Sequence, residues 1–278
     1  MRISLNYHAT DQSMPVVEVA AEAEARRFDG LYLAEHTHIP ASRLTPDPSG
    51  GDELPEMYWR TVDPLVVLAA AASVTDRLTL GTSVALVAQH DPVSYAKAVA
   101  TLDVVSGGRV VLGVGYGWNR EEMATHGVDY STRRAQVAEA VAVMRALWTE
   151  HEASFAGDFY RLEPAWAYPK PVQSGGPPVL IGGQAGPRLY AAVAAWADGW
   201  MPMGGGGLSR SLPQLRAAME QAGRDPGALR VAPMAVEPTA EKLEHYGSLG
   251  VTEVGLRLPT AGRDEVLRAL DAHATFLP

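Results

Sequence analysis

The sequence predicts an α/β protein, a (β/α)8 TIM barrel with an insertion after the fourth helix, and three observations lead there. Short apolar runs and helical patterns alternate eight times along the chain. The length of 278 residues suits one such barrel, which commonly runs to about 250 residues as a single domain. No repeat of fixed period and no solenoid motif competes with that reading. Residues 1–278 are therefore expected to form one domain, with the insertion at about 151–177.

The first strand is read from Ile3, Leu5 and Tyr7, which alternate with polar residues, and a helix follows from Val16 to Phe28. Gly30 to Ala34 is a short continuous apolar run and reads as a strand buried on both faces. From Glu35 to Arg60 the breakers Pro40, Pro46, Pro48, Gly50, Gly51 and Pro55 forbid a long element, so a functional loop is expected there. Helix 62–74, strand 78–84, helix 93–105 and strand 109–114 continue the alternation. A glycine-rich loop then leads to a long amphipathic helix over 131–149, with Ser131 as its cap. After the insertion come strand 179–181, helix 189–196, strand 199–201, helix 208–223, strand 229–235, helix 239–249, strand 251–258 and helix 263–276.

Composition narrows the function. Hydrophobic residues make up 47% and charged residues 20%, enough apolar surface for a large core and too little charge for a disordered chain. A net charge of −9 argues against a nucleic-acid partner or an anionic membrane surface, but local backbone N–H groups can still hold a small phosphate. The absence of cysteine excludes disulfides, thiolate metal sites, iron–sulfur clusters and a cysteine nucleophile. Met1 to Tyr7 is too short an apolar run for a leader and no 18-residue apolar stretch follows, so a cytoplasmic location is expected.

In a parallel barrel the residues just after each strand converge on one mouth. Those positions hold Asn6 and His8, then Glu35, His36 and His38, then Gln89 and His90, then Trp118, Asn119 and Arg120. Glu35-His36-Thr37-His38 lacks the helical HExxH spacing, and neighbouring loop residues rarely chelate together, so no metal is expected. An imidazole at a strand end, facing a redox ring or its substrate, is the stronger reading. Gly113-Val-Gly115-Tyr-Gly117 departs from a dinucleotide fingerprint because its third glycine follows the second by two residues. These glycines are read instead as room for a flat ligand or another backbone. Ile181-Gly182-Gly183-Gln184-Ala-Gly-Pro-Arg188 ends a strand and opens a helix at once, a geometry that aims free N–H groups and the positive helix end at a phosphate. Trp59, Trp118, Trp166 and Trp200 fall in or beside loops and strand ends, where an indole can wall an aromatic ligand. Neither a G-x-S-x-G elbow nor a P-loop lysine motif occurs.

Several blocks resemble the luciferase-like monooxygenases: Leu80-Gly-Thr-Ser-Val84, Asp91-Pro92, Thr101-Leu-Asp103, Ser106-Gly-Gly-Arg109 and Leu112-Gly-Val-Gly-Tyr-Gly117. Leu147-Trp148, Phe155-Ala-Gly157, Tyr168-Pro-Lys-Pro171, Ile181-Gly-Gly183 and Ala197-Asp-Gly-Trp200 continue the likeness. Beyond residue 200 the match is one of pattern. Within that superfamily the wording is most similar to the branch using the deazaflavin coenzyme F420.

The resemblance implies an oxidoreductase that moves a hydride between F420 and a small organic substrate. It implies a ring across the mouth near Asn6, His36, Ser83, Val84, Gly115 and Trp118, and a phosphate near Gly182, Gly183 and Gln184. It also implies a cis Ser83–Val84 peptide, a homodimer, and catalytic roles for His36, as proton donor, and for Glu35. An imidazole suits proton transfer near neutral pH. Glu35 stands where related deazaflavin dehydrogenases carry aspartate, and Trp118 where the sugar-phosphate enzymes carry glutamate, so sugar-phosphate oxidation is not expected. The alternative is a two-component monooxygenase that uses reduced FMN, supplied by a separate reductase, and oxygen.

Overall fold

The structure is a computed structural model, described for residues 1–47, 50 and 53–277; Pro48 and Gly51, named among the loop breakers, lie outside the described residues. In chain order the elements are β1 (Arg2–Tyr7), α1 (Val16–Ala25), β2 (Gly30–Leu33), α2 (Pro64–Ala72), β3 (Thr79–Ala85), α3 (Pro92–Ser106), β4 (Val110–Val114), α4 (Arg120–Thr125) and α5 (Arg133–Thr149). There follow β5 (Ala153–Ala156), β6 (Arg161–Ala165), β7 (Val179–Gly182), α6 (Pro187–Ala195), β8 (Gly199–Met201), α7 (Leu208–Gln221), β9 (Arg230–Val231), α8 (Ala240–Ser248), β10 (Glu253–Arg257) and α9 (Arg263–Ala274).

Eight strands form one parallel sheet in the order β10-β1-β2-β3-β4-β7-β8-β9. Its ends meet: Thr252 N–H donates to the Val231 carbonyl at 3.0 Å, Gly255 N–H to that of Pro233 at 2.9 Å, and Val236 N–H to that of Gly255 at 3.0 Å. The sheet is thus a barrel, as expected, and closure removes its edges. Every residue of β2, β4 and β7 is buried, which is why these strands are apolar without alternation.

The lumen is packed by Tyr32, Val111, Leu180, Met201, Ala232 and Met234, with Val84 at its edge. Two glycines make room for the largest of them. A Cβ on Gly81 would stand 2.5 Å from the Tyr32 ring, and one on Gly113 would stand 2.6 Å from the Met201 sulfur.

Local chemistry sets the helix starts. Asp63 caps α2 by accepting from Val66 N–H at 3.0 Å, and Asp91 caps α3 by accepting from Ser94 N–H at 2.9 Å, each followed by proline in the first turn. Ser131 does not cap α5: its N–H and hydroxyl both donate to the Asp129 carboxylate at 2.7 Å, and the helix begins two residues later. Two elements depart from the sequence reading. The loop after β4 contains the short helix α4, capped by Asn119, and the insertion contains the antiparallel hairpin β5–β6. Glu139 on α5 holds that hairpin's turn by accepting from Asp158 and Phe159 N–H at 2.9 Å each and from Tyr160 N–H at 3.2 Å.

Among the described residues, no helix is long and apolar enough to cross a membrane.

Candidate active site

Because β2 ends at Leu33, residues 35 to 37 leave the barrel at its C-terminal mouth. There the His36 Nδ1 lies 2.8 Å from a carboxylate oxygen of Glu122, and Thr37 N–H donates to the other oxygen at 3.2 Å. Both partners are nearly sealed, with side-chain exposures of 7% for His36 and 1% for Glu122. A carboxylate can only accept in this contact, so the Nδ1 hydrogen points to Glu122 and Nε2 is left toward the mouth.

Three more rings surround that imidazole. Tyr58, in a one-turn 3-10 helix of the long loop, meets His36 edge-on at 5.3 Å, His8 at 5.4 Å and Trp118 at 5.7 Å between centroids. Trp118 in turn meets His36 at 5.8 Å. His8 is within 2.7 Å of the Thr61 hydroxyl, and its pKa falls to about 4 because burial and the neighbouring His36 charge both disfavour its cation. It is a neutral ring at neutral pH.

Glu35 turns away from His36. Its carboxylate accepts from Leu86 N–H at 2.5 Å and lies 2.8 Å from His90 Nε2. Burial pushes the His90 pKa down, but the hydrogen bond and charge of Glu35 outweigh it, and the net shift is upward. His90 stacks on Tyr95 at 4.5 Å. Glu35 and His36, adjacent in sequence, thus face separate clusters.

The Ser83–Val84 peptide is cis, matching the bond singled out in the sequence. Val84 closes the gap between two strand ends: a Cβ on Gly182 would stand 2.9 Å from it, and one on Gly115 would collide with it. Ser83, Val84, Gly115 and Gly182 therefore converge on one patch of the mouth. The Ser83 hydroxyl there is buried and has no hydrogen-bond partner among the described residues. Asn6 lies in β1 and is 9% exposed.

Past Gly182 the chain turns outward through Gly183, at φ 140°, and Gly186, at φ 156°, into α6 at Pro187. Trp200 fixes this turn by donating its indole N–H to the Gly183 carbonyl at 3.0 Å. Trp200 is 1% exposed, so it supports the turn from the core and does not wall the mouth. Gln184 is exposed on the rim. Beside the turn is a cavity of about 630 Å³ lined by Ala185, Gly186, Gly206, Gly207, Ser209 and Arg210, so the starts of α6 and α7 both border it.

Sequence reasoning missed Glu122 and Tyr58. The spacing Asn119-x-x-Glu122 carries the signal for the first, a capping residue with a glutamate at the third helical position. Its neighbour Glu121 anchors the long loop by accepting from Leu44 N–H at 2.9 Å and from Thr45 N–H and hydroxyl at 3.2 and 2.6 Å. The Thr45 hydroxyl leads in lowering the Glu121 pKa to about 2; burial opposes it, and the backbone N–H groups of Leu44, Thr45 and Glu121 together carry the balance downward.

Residues 3–246 match the family model of the luciferase-like monooxygenases. An uncharacterized protein of Mycobacterium tuberculosis is 40% identical over 280 residues, covering 100% of this chain and 99% of its own. The F420-dependent glucose-6-phosphate dehydrogenase of Intrasporangium calvum is 32% identical over 213 residues, 74% of this chain and 58% of that one. Among solved structures, the monooxygenase RslO1 of Streptomyces bottropensis superposes with a TM-score of 0.79 at 19% identity, covering 100% of this chain and 98% of that one, which shows the shared fold. With the family model matched over most of its length, the chain belongs to the luciferase-like monooxygenase family of oxidoreductases.

Proposed function

We propose that the protein transfers a hydride between coenzyme F420 and a small organic substrate, with His36 exchanging the accompanying proton. The observation that carries this reading is the buried His36–Glu122 pair, set among aromatic rings at the mouth of the barrel. The F420-dependent relative of Intrasporangium calvum supports the choice of cofactor.

The residues present fit such a group. A buried Ser83 hydroxyl with no hydrogen-bond partner among the described residues suits the polar edge of a ring, and the open space at Gly186, beside the α6 start, leaves a cradle for a phosphate. Asn6, Val84, Gly115 and Trp118 would border the ring, and Gly182 and Gln184 the phosphate. Bound F420 would supply the carbon that accepts or returns the hydride. Glu122 orients the imidazole, so that Nε2 would take a proton from a substrate hydroxyl as its carbon loses hydride, or return one in reverse. Tyr58 and Trp118 exclude water from that exchange. Glu35 holds Leu86 N–H and His90, and so shapes the segment just after the cis bulge.

Titration of the purified protein with F420, followed by its fluorescence, should saturate, while FMN should compete poorly. Tight FMN binding with no response to F420 would sink this reading. The family description and the fold shared with RslO1 favour a second one, a monooxygenase that takes reduced FMN from a separate reductase. Oxygen uptake driven by reduced FMN would select it.

We further propose a homodimer. Helix α2 has the sequence PLVVLAAAA, without a polar side chain, yet Val66 on it is 68% exposed. A helix apolar all round needs cover, and a second copy offers the same uncharged face in return.

A further inference from the structure

Four arginines gather on the rim where α4, α5 and α6 begin. Arg133 lies over the ring of Tyr130 at 3.5 Å, Arg120 over the same ring at 4.5 Å, and Arg134 over the ring of Tyr116 at 4.2 Å. Arg188 is the second residue of α6. None of the four has a carboxylate within 4.0 Å among the described residues, although eight of the other sixteen arginines do and the net charge is −9.

The cluster works against itself in the free protein. Burial lowers the Arg133 pKa, the Tyr130 side chain opposes it, and the charges of Arg134, Arg120 and Arg188 lower it further. Its Nε is buried without a hydrogen-bond partner among the described residues. Aromatic rings hold three of the guanidinium groups, with Arg133 also donating to the Tyr130 carbonyl, and no carboxylate among the described residues neutralises them, an arrangement suited to oxyanions.

The cluster is also continuous with the outward turn after β7. A Cβ on Gly183 would lie 3.9 Å from the Tyr116 ring that carries Arg134. A single phosphate carries at most about two negative charges, short of four guanidinium cations, so the complement is a ligand with several anionic groups spaced along a chain.

We propose that Arg120, Arg133, Arg134 and Arg188 bind a flexible chain of carboxylates or phosphates that continues outward from the phosphate held at Gly183–Gly186. Only the attachment to a cofactor rests on the F420 reading; the anion site itself does not. F420 bears an oligoglutamate chain beyond its phosphate, whereas the phosphate of FMN is terminal, so the two report on the rim separately.

The test titrates the whole protein with free tetraglutamate, inorganic tripolyphosphate, F420 and FMN, by calorimetry and thermal shift, at low and high salt. Wild type should bind tetraglutamate or tripolyphosphate with an affinity that falls as salt rises. Arg133→Gln/Arg134→Gln should weaken that binding at least about tenfold, as should Arg188→Gln, an exposed position that spares the fold. A matching loss for F420 with no change for FMN assigns the chain to the cofactor. Arginine-dependent binding of the free polyanions without any F420 binding keeps the site, assigns it to a substrate and removes the cofactor reading. Normal F420 binding with every affinity unchanged in both variants overturns the site and leaves the cofactor reading standing.

Discussion

The His36 imidazole and the Glu122 carboxylate lie 2.8 Å apart although 86 residues separate them in the chain. His36→Ala should lower kcat by about 10²–10⁴-fold while F420 affinity stays within a few-fold, since general acid–base catalysis is worth that much. Glu122→Gln keeps an acceptor but loses the charge, and should cost about tenfold to a hundredfold in kcat. Steady-state kinetics beside fluorescence titration separates the two effects. Unchanged turnover in His36→Ala would remove the imidazole from the chemistry.

Acid should loosen the long loop through Glu121. Its pKa falls from 4.5 to about 2 on folding, so the carboxylate contributes stability above about pH 4.5 that is lost as pH falls through 2. Thermal unfolding of Glu121→Gln between pH 2 and 7 should show Tm about 2–4 °C below wild type at pH 7. The difference should vanish by pH 2. A gap independent of pH would contradict the assignment.

Gly81→Ala should destabilise the barrel by about 1–3 kcal/mol in urea unfolding, the cost of overpacking a filled core. The new methyl would stand 2.5 Å from the Tyr32 ring and 2.7 Å from the Val111 carbonyl oxygen, and the second of these cannot swing aside. Gly262→Ala is the control, because a Cβ there meets nothing within 4 Å.

Analytical ultracentrifugation should find a dimer, and Val66→Glu should dissociate it without changing the circular dichroism spectrum. A monomeric wild type would end the dimer proposal.

The barrel was legible because burial on both faces leaves plain apolar runs such as Leu31 to Leu33 and Val110 to Val114, and a helical pattern lies between each such run and the next. Hairpin β5–β6 was not, since Pro164 breaks the pattern of β6 and the pair is held by a distant glutamate, Glu139. At the mouth, strand-end position brought out His36 among several polar residues, and the resemblance to the deazaflavin-linked enzymes singled it out. Glu122 stayed hidden because α4 is six residues long, too short to show a period, and its carboxylate acquires a partner only when β2 and β4 lie in one sheet. Tyr58 was hidden for a related reason: nothing local in a breaker-rich loop says which of its aromatic residues turns inward.

Helix α4 grips two things with consecutive side chains, the long loop through Glu121 and the imidazole through Glu122. That makes it a lever with two short arms. A ligand that displaced the loop at Thr45 would therefore act on the same turn of helix that holds His36, and loop position and imidazole orientation would change together.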